Sequence, residues 1–278
     1  MAVVFFADVL GFSARSRAAT AAPAIDALAD LATLFSTQDA IARYLQAPVW
    51  HRRYGLSDSL FLVADDPVAA CAAAAEIFFN VAFYNSQVDD AVLLRGAITE
   101  GEVREIGPLF PETASANLVG EAVVRAVQLE KCGAKGPRLL VSDEFVSALP
   151  ADLAGWLLDR VPEEPAELLW PLAPDPKGAE PLMVADVGRA ATRLLLTQWQ
   201  DEEAAPHLVA YVDLLARAVE RWRGRDAKAA EAVLANADFR RVRPVLQSLL
   251  ANRSIPQALA LERLDALTNE AWCPDATK

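Results

Sequence analysis

The chain reads as an α+β fold: an antiparallel sheet with helices on one face, followed by a helical C-terminal extension. Three observations predict this. Apolar runs and helical stretches come in the order strand, helix, hairpin, helix, hairpin, helix, strand over the first half of the sequence. Two turn signals, Gly55-Leu56-Ser57-Asp58 and Glu100-Gly101, each join two strand-like runs and so make neighbouring strands antiparallel. Beyond about residue 187 the strand signals stop and helical periodicity takes over.

Each element has its own warrant. Residues 3–9, Val-Val-Phe-Phe-Ala-Asp-Val, are apolar at both parities, as in a buried strand. Ala and Leu at helical spacing then predict a helix over 13–44, with Pro23 as a break point. Runs at 47–54 and 60–63 flank the first turn. Asp66-Pro67 starts an Ala-rich helix to about Tyr84, since proline suits the first helical position. The second hairpin takes 91–99 and 102–106; a helix follows over 118–131 and a strand over 138–141. Prolines at 162, 165, 171, 174 and 176 make 161–177 loops and short edge strands, and 181–187 reads as a returning strand. Helices are expected over 189–199, 206–223, 226–237 and 244–251, with Pro206 and Pro244 in first turns. The first part fits a ferredoxin-like arrangement, so the expected domains are 1–187 and 188–278.

Composition narrows the function. At 278 residues the chain can bury a substantial core. A formal net charge of −12 argues against a sequence-independent grip on nucleic acid or on an anionic membrane. Cys71, Cys132 and Cys273 lack metal-finger spacing and are odd in number, which points to a reducing cytoplasm, with Cys71 and Cys132 as buried thiols. No charged segment precedes a leader-like apolar stretch, and Glu76 and Asn80 interrupt 67–83, which therefore reads as a packed helix rather than a membrane span. His51 and His207 have no ligands at coordinating spacing and read as structural, and Arg217, Glu220, Arg221 and Arg223 as a solvated helix face.

Two aspartates carry the chemistry. Asp8 ends the first apolar run and Asp58 occupies the first hairpin turn. Singly, Asp8 would be a helix cap and Asp58 a turn residue. Jointly they suit a pair of hard oxygen ligands converging on Mg²⁺ or Mn²⁺. Gly11 and Ser13 follow at once and open a helix whose free N–H groups can hold phosphate.

Two further stretches accompany them, Leu94-Arg95-Gly96-Ala97-Ile98-Thr99-Glu100-Gly101-Glu102-Val103 and Val119-Gly120-Glu121-Ala122-Val123-Val124-Arg125-Ala126-Val127-Gln128-Leu129-Glu130. In this order the motifs resemble the class III nucleotidyl cyclases. The resemblance implies that Asp8 and Asp58 bridge two divalent cations (Mn²⁺ or Mg²⁺), that the carbonyl of Val9 adds a ligand, and that the amides of Gly11, Phe12 and Ser13 meet the phosphates. It implies base recognition by Tyr54 and Asn117. A tyrosine at the first of these positions, where the family usually carries lysine, resembles the pyrimidine cyclases of the bacterial antiphage Pycsar system. The implied substrate is UTP, giving cyclic UMP, ahead of CTP; a purine cyclase or an inactive cyclase-like binding module is the alternative. A head-to-tail homodimer is implied too, with the aspartates of one chain facing Tyr54, Asn117 and the active-site helix of the other. One departure stands out. Val124 and Gln128 occupy the places of the family's helix asparagine and transition-state arginine, leaving Arg125, Arg95, Arg53 and Arg138 as substitutes.

Overall fold

The computed structural model describes residues 1–12, 22–44, 48–88, 92–107, 117–133, 135–160, 164–172, 181–237 and 239–252. These form two compact units. One comprises residues 1–81, 92–134 and 138–174; the other comprises 82–91, 135–137 and 175–278.

The first unit is mixed α+β with a mostly antiparallel sheet, as expected. Its strands are β1 (Ala2–Val9), β2 (Arg52–Leu56), β3 (Ser59–Ala64), β4 (Leu94–Gly101), β7 (Leu139–Val141), β8 (Leu158–Asp159) and β9 (Ala166–Leu168), a seven-stranded sheet in the order β2-β3-β1-β4-β7-β9-β8. All neighbours are antiparallel except β4 and β7. A separate ribbon pairs β5 (Arg104–Ile106) with β6 (Asn117–Val119). The helices are α1 (Ala22–Tyr44), the first part of α2 (Pro67–Gln87), α3 (Glu121–Glu130), α4 (Asp143–Ala148) and α5 (Ala151–Leu157).

β1 lies between β3 and β4 and is buried on both faces. Side chains alternate along a strand. Val4 and Phe6 therefore share one face, where they pack on Ala122 and Ala126 of α3. Phe5 leaves the other face and stacks on Trp50, with Phe78 of α2 edge-on at 6.5 Å and Trp170 beyond it. Helices thus cover both faces, not one. The physical reason is the apolar character of β1 at both parities; burying a side chain such as Phe5 contributes about 1.5–3 kcal/mol. A Cβ on Gly96 would lie 2.6 Å from the carbonyl oxygen of Phe6, so only glycine lets β4 sit this close to β1.

Several expectations need correction. β5 does not fold back on β4, because β1 and β7 already occupy both edges of β4; it pairs with β6 instead. The helix expected from 118 starts at Glu121. Asn117–Val119 are strand, and Gly120 (φ 140°) makes the corner, where a Cβ would meet the Glu102 carbonyl oxygen at 2.2 Å. β9 is internal, between β7 and β8, rather than an edge. Helices α4 and α5 were not foreseen; Ser142 caps α4 by accepting from the Phe145 N–H. Cys71 is buried and its thiol pushed up to about 12 by that burial, whereas Cys132 is exposed. Cys273 lies outside the described residues. The helix Pro67–Gln87 is long and apolar enough to cross a membrane, but 56% of its most apolar window is buried inside the protein.

The second unit holds α6 (Pro181–Gln198), α7 (Ala205–Arg225), α8 (Ala227–Asn236) and α9 (Phe239–Asn252). The strand expected at 181–187 is the start of α6. Ala185 is buried there, and Gly188 lets α6 approach α8, where a Cβ would lie 3.0 Å from the Val233 carbonyl oxygen. α7 buries Leu208, Val212, Leu215 and Trp222 along one stripe. Pro244 sits inside α9 rather than in its first turn, and so removes one backbone donor from the helix. His207 accepts the Gly136 N–H at 3.1 Å on Nδ1, which places its own proton on Nε2 when neutral.

Candidate metal and nucleotide site

The site is assembled at one end of the sheet. In the antiparallel registers Asp8 stands opposite Ser59 on β3 and opposite Arg95 on β4. Opposed residues project from the same face, so Ser59, Asp8 and Arg95 form one cross-strand row. Ser59 Oγ donates to Asp8 Oδ1 at 2.8 Å. Asp58 lies in the tight β2–β3 turn after Ser57, which adopts φ 56°, a left-handed conformation that serine takes at some cost. The Val9 N–H reaches across to the Asp58 carbonyl at 3.2 Å and so fixes the turn against the end of β1.

Asp8 is held above the ordinary carboxylate range. Burial is the main cause; the Ser59 hydrogen bond opposes it, the charges of Asp58 and Glu130 push further up, and Arg95 partly offsets them. Glu130 closes α3 and is 1% exposed. It takes the Arg95 guanidinium, with Nε 2.5 Å from Oε1 and Nη2 on the same oxygen.

The donor set suits a hard divalent cation: two carboxylates at one strand end, beside the backbone of Val9. Among the described residues no group of three or more His, Cys, Asp or Glu side chains forms a metal cluster. Gly11 (φ 76°) and Phe12 follow directly, while Ser13 lies outside the described residues.

Of the residues expected to read the base, Tyr54 reaches the β5–β6 ribbon from β2 and Asn117 lies on the ribbon itself. Tyr54 donates its hydroxyl to Glu105 Oε2 at 2.6 Å, and Arg52, two residues back on β2, places Nε 3.5 Å from the same oxygen. The phenol is pushed up to about 12, by burial first and then by the hydrogen bond and charge of Glu105, with Arg52 opposing. Asn117 pairs in register with Ile106, next to Glu105, and its Nδ2 donates to the Gly107 carbonyl at 3.2 Å.

Each substitute arginine has a carboxylate partner. Arg53 engages Asp39, Arg125 engages Glu121 and Glu144, and Arg138 engages Glu167, which is 1% exposed. Arg95 alone among them stands in register with Asp8. Val124 and Gln128 are both exposed on α3. Sequence reasoning singled out neither Glu105 nor Glu130. Glu130 carried a faint signal, as a charged residue on the helical stripe that buries Ala122 and Ala126.

No known family model matches the chain, and no curated protein matches it. It is similar at a low level to solved structures of cyclases. With the adenylyl cyclase CyaB from P. aeruginosa it shares 17% identity over 60% of this chain and 90% of that one, with a TM-score of 0.43. With an adenylate cyclase from Trypanosoma brucei in its monomeric state the values are 16%, 63%, 90% and 0.45, and with the guanylyl cyclase Cya2 they are 14%, 60%, 89% and 0.45.

Proposed function

We propose that this chain is a nucleotidyl cyclase of the class III type that converts UTP to 3′,5′-cyclic UMP and pyrophosphate as an antiphage signal in the cytoplasm. The observation that carries the reading is the juxtaposition of Asp8 and Asp58 through the Val9–Asp58 hydrogen bond, at the end of a strand leading into Gly11. Asp8, Asp58 and the Val9 carbonyl would hold two divalent cations, Mn²⁺ or Mg²⁺. When bound, these ease ionisation of the ribose 3′-hydroxyl and offset the phosphate charge. In the reaction the 3′-hydroxyl gives its proton to water, its oxygen attacks the α-phosphorus, the bond to the bridging oxygen breaks in line, and pyrophosphate leaves. The chain's contribution is position and charge rather than covalent chemistry. The amides of Gly11, Phe12 and Ser13 orient the phosphates. The catalytic domain lies within residues 1–187, the helices beyond it are appended, and the active form is a head-to-tail homodimer.

The base preference rests on Tyr54 and Asn117. A phenol has one proton, and Tyr54 gives it to Glu105, so its oxygen is left to accept. N3 of uracil carries a proton for that acceptor, as N1 of guanine does, whereas N3 of cytosine and N1 of adenine do not; the larger purine would crowd the Tyr54 ring, which leaves uracil as the favoured base. Purified protein incubated with Mn²⁺ and each of the four ribonucleoside triphosphates, with identification of the product, tests the proposal; cyclic UMP is expected. A second reading, a nucleotide-binding module without turnover, draws on Val124 and Gln128 in place of the asparagine and arginine, and is supported if none of the four is cyclised.

A further inference from the structure

We propose that Glu130 keeps the Asp8 carboxylate available to a cation by holding Arg95 away from it, so that Glu130 is a positioning residue for the metal site. The inference rests on the reading of Asp8 as a cation ligand.

Directly opposed residues of an antiparallel pair have Cα atoms about 4.5–5.5 Å apart and side chains on one face. An aspartate and an arginine placed so are natural partners, because the guanidinium fork matches a carboxylate. Asp8 and Arg95 are such a pair in register. Yet the guanidinium is turned to Glu130, where Nε lies 2.5 Å from Oε1 and Nη2 engages the same oxygen, while Asp8 takes its hydrogen bond from Ser59 at 2.8 Å. Depth decides the competition. Glu130 is 1% exposed and has little water to fall back on, so leaving its charge unpaired is costly. Asp8, at the half-exposed end of β1, keeps Ser59 and solvent. The arginine therefore settles on the deeper carboxylate. Its charge stays close enough to ease the crowding of Asp8 by Asp58, and the Asp8 oxygens are left for a cation.

A substitution that neutralises Glu130 removes the charge that draws Arg95 away from Asp8. Arg95 then closes on Asp8 and competes with the metal. The test titrates Mn²⁺ alone into the full chain and reads free Mn²⁺ by its electron paramagnetic resonance signal, with Asp8→Asn defining binding that does not depend on the site. Glu130→Gln is expected to weaken the Asp8-dependent binding by about tenfold or more, the scale on which an adjacent opposite charge alters a carboxylate. The double variant Arg95→Met/Glu130→Leu removes both charges at similar volume and is expected to bind Mn²⁺ as tightly as the wild type or more tightly. A purely structural pair would not give opposite results in the two variants. Wild-type affinity in Glu130→Gln overturns the proposal. So does binding tenfold weaker than wild type in the double variant, which decides alone if Glu130→Gln does not fold. If the wild type shows no Asp8-dependent binding, the reading of the metal site itself falls; if Asp58→Asn weakens binding and Glu130→Gln does not, only the role of Glu130 falls.

Discussion

Tyr54 donates its hydroxyl to Glu105, 51 residues away, across 2.6 Å and so ties β2 to the β5–β6 ribbon. The bond does two things. It stabilises the neutral phenol, and it fixes the side of the hydroxyl that remains for a ligand.

If Tyr54 reads the base as proposed, the first consequence is a base preference that depends on Glu105, a residue away from the base. Glu105→Ala releases the Tyr54 proton, so the hydroxyl can donate as well as accept, and cytosine N3 becomes an admissible partner. The expected outcome is a fall in UTP-over-CTP selectivity with a smaller change in total turnover, measured by competition between the two triphosphates. Unchanged selectivity would mean that Tyr54 does not read the base.

The second consequence is a dependence on alkaline pH. Tyr54 has its folded pKa raised from 10.0 to about 12. A group raised in the fold contributes stability that is fully present below the unfolded value and is lost as pH rises through the folded one. The wild type should therefore lose stability between about pH 10 and 12, and Tyr54→Phe should lose less over the same window. Melting temperatures of both proteins across that range check the sign.

At the proposed metal site, Asp8→Ala or Asp58→Ala should abolish cyclisation, a loss of several kcal/mol of barrier lowering, and leave the fold intact. Asp8→Asn makes the point more sharply. Burial and neighbouring negative charge disfavour the ionised Asp8, so removing its charge should leave the melting temperature unchanged or raised while activity disappears. Retained turnover in these variants would remove Asp8 and Asp58 from the site.

Gly120 offers a test of the fold alone. With φ 140° and a would-be Cβ 2.2 Å from the Glu102 carbonyl oxygen, Gly120→Ala must displace the backbone that leads into α3. A destabilisation on the order of 1–3 kcal/mol is expected in a denaturant melt. An unperturbed melt would show that the β6–α3 corner is not built this way.

These variants also mark what the sequence discloses and what it does not. β1, the β2–β3 turn and the C-terminal helices were legible because each is specified locally: apolar residues at both parities, a Gly-to-Asp turn, a recurring stripe. The partner of β5 was not legible, since a three-residue strand carries no pattern of its own and its pairing is decided by β1 and β7 on β4. Residues 181–187 read as a strand because the short apolar run Pro-Leu-Met-Val does not distinguish a strand from the first turn of a helix. In the proposed site, Asp8 and Asp58 are singled out by their flanks. Glu105 and Glu130 do not, because their partners are 51 and 35 residues away and only the register brings them together.

The homodimer reading makes the last prediction. If each site takes its aspartates from one chain and its base-reading residues from the other, a chain carrying Asp58→Ala and a chain carrying Tyr54→Ala are each inactive as homodimers. Mixed, they form heterodimers in which one of the two sites has both halves intact, so part of the wild-type activity should return. At equal concentrations and with free exchange, about half of the dimers are mixed and each has one working site, which sets the ceiling at roughly a quarter of the wild-type rate. Subunit exchange is established independently, by mass spectrometry of differently tagged chains. Exchange without recovery would show that Asp58 and Tyr54 act within the same chain, and would make the site a property of the single subunit.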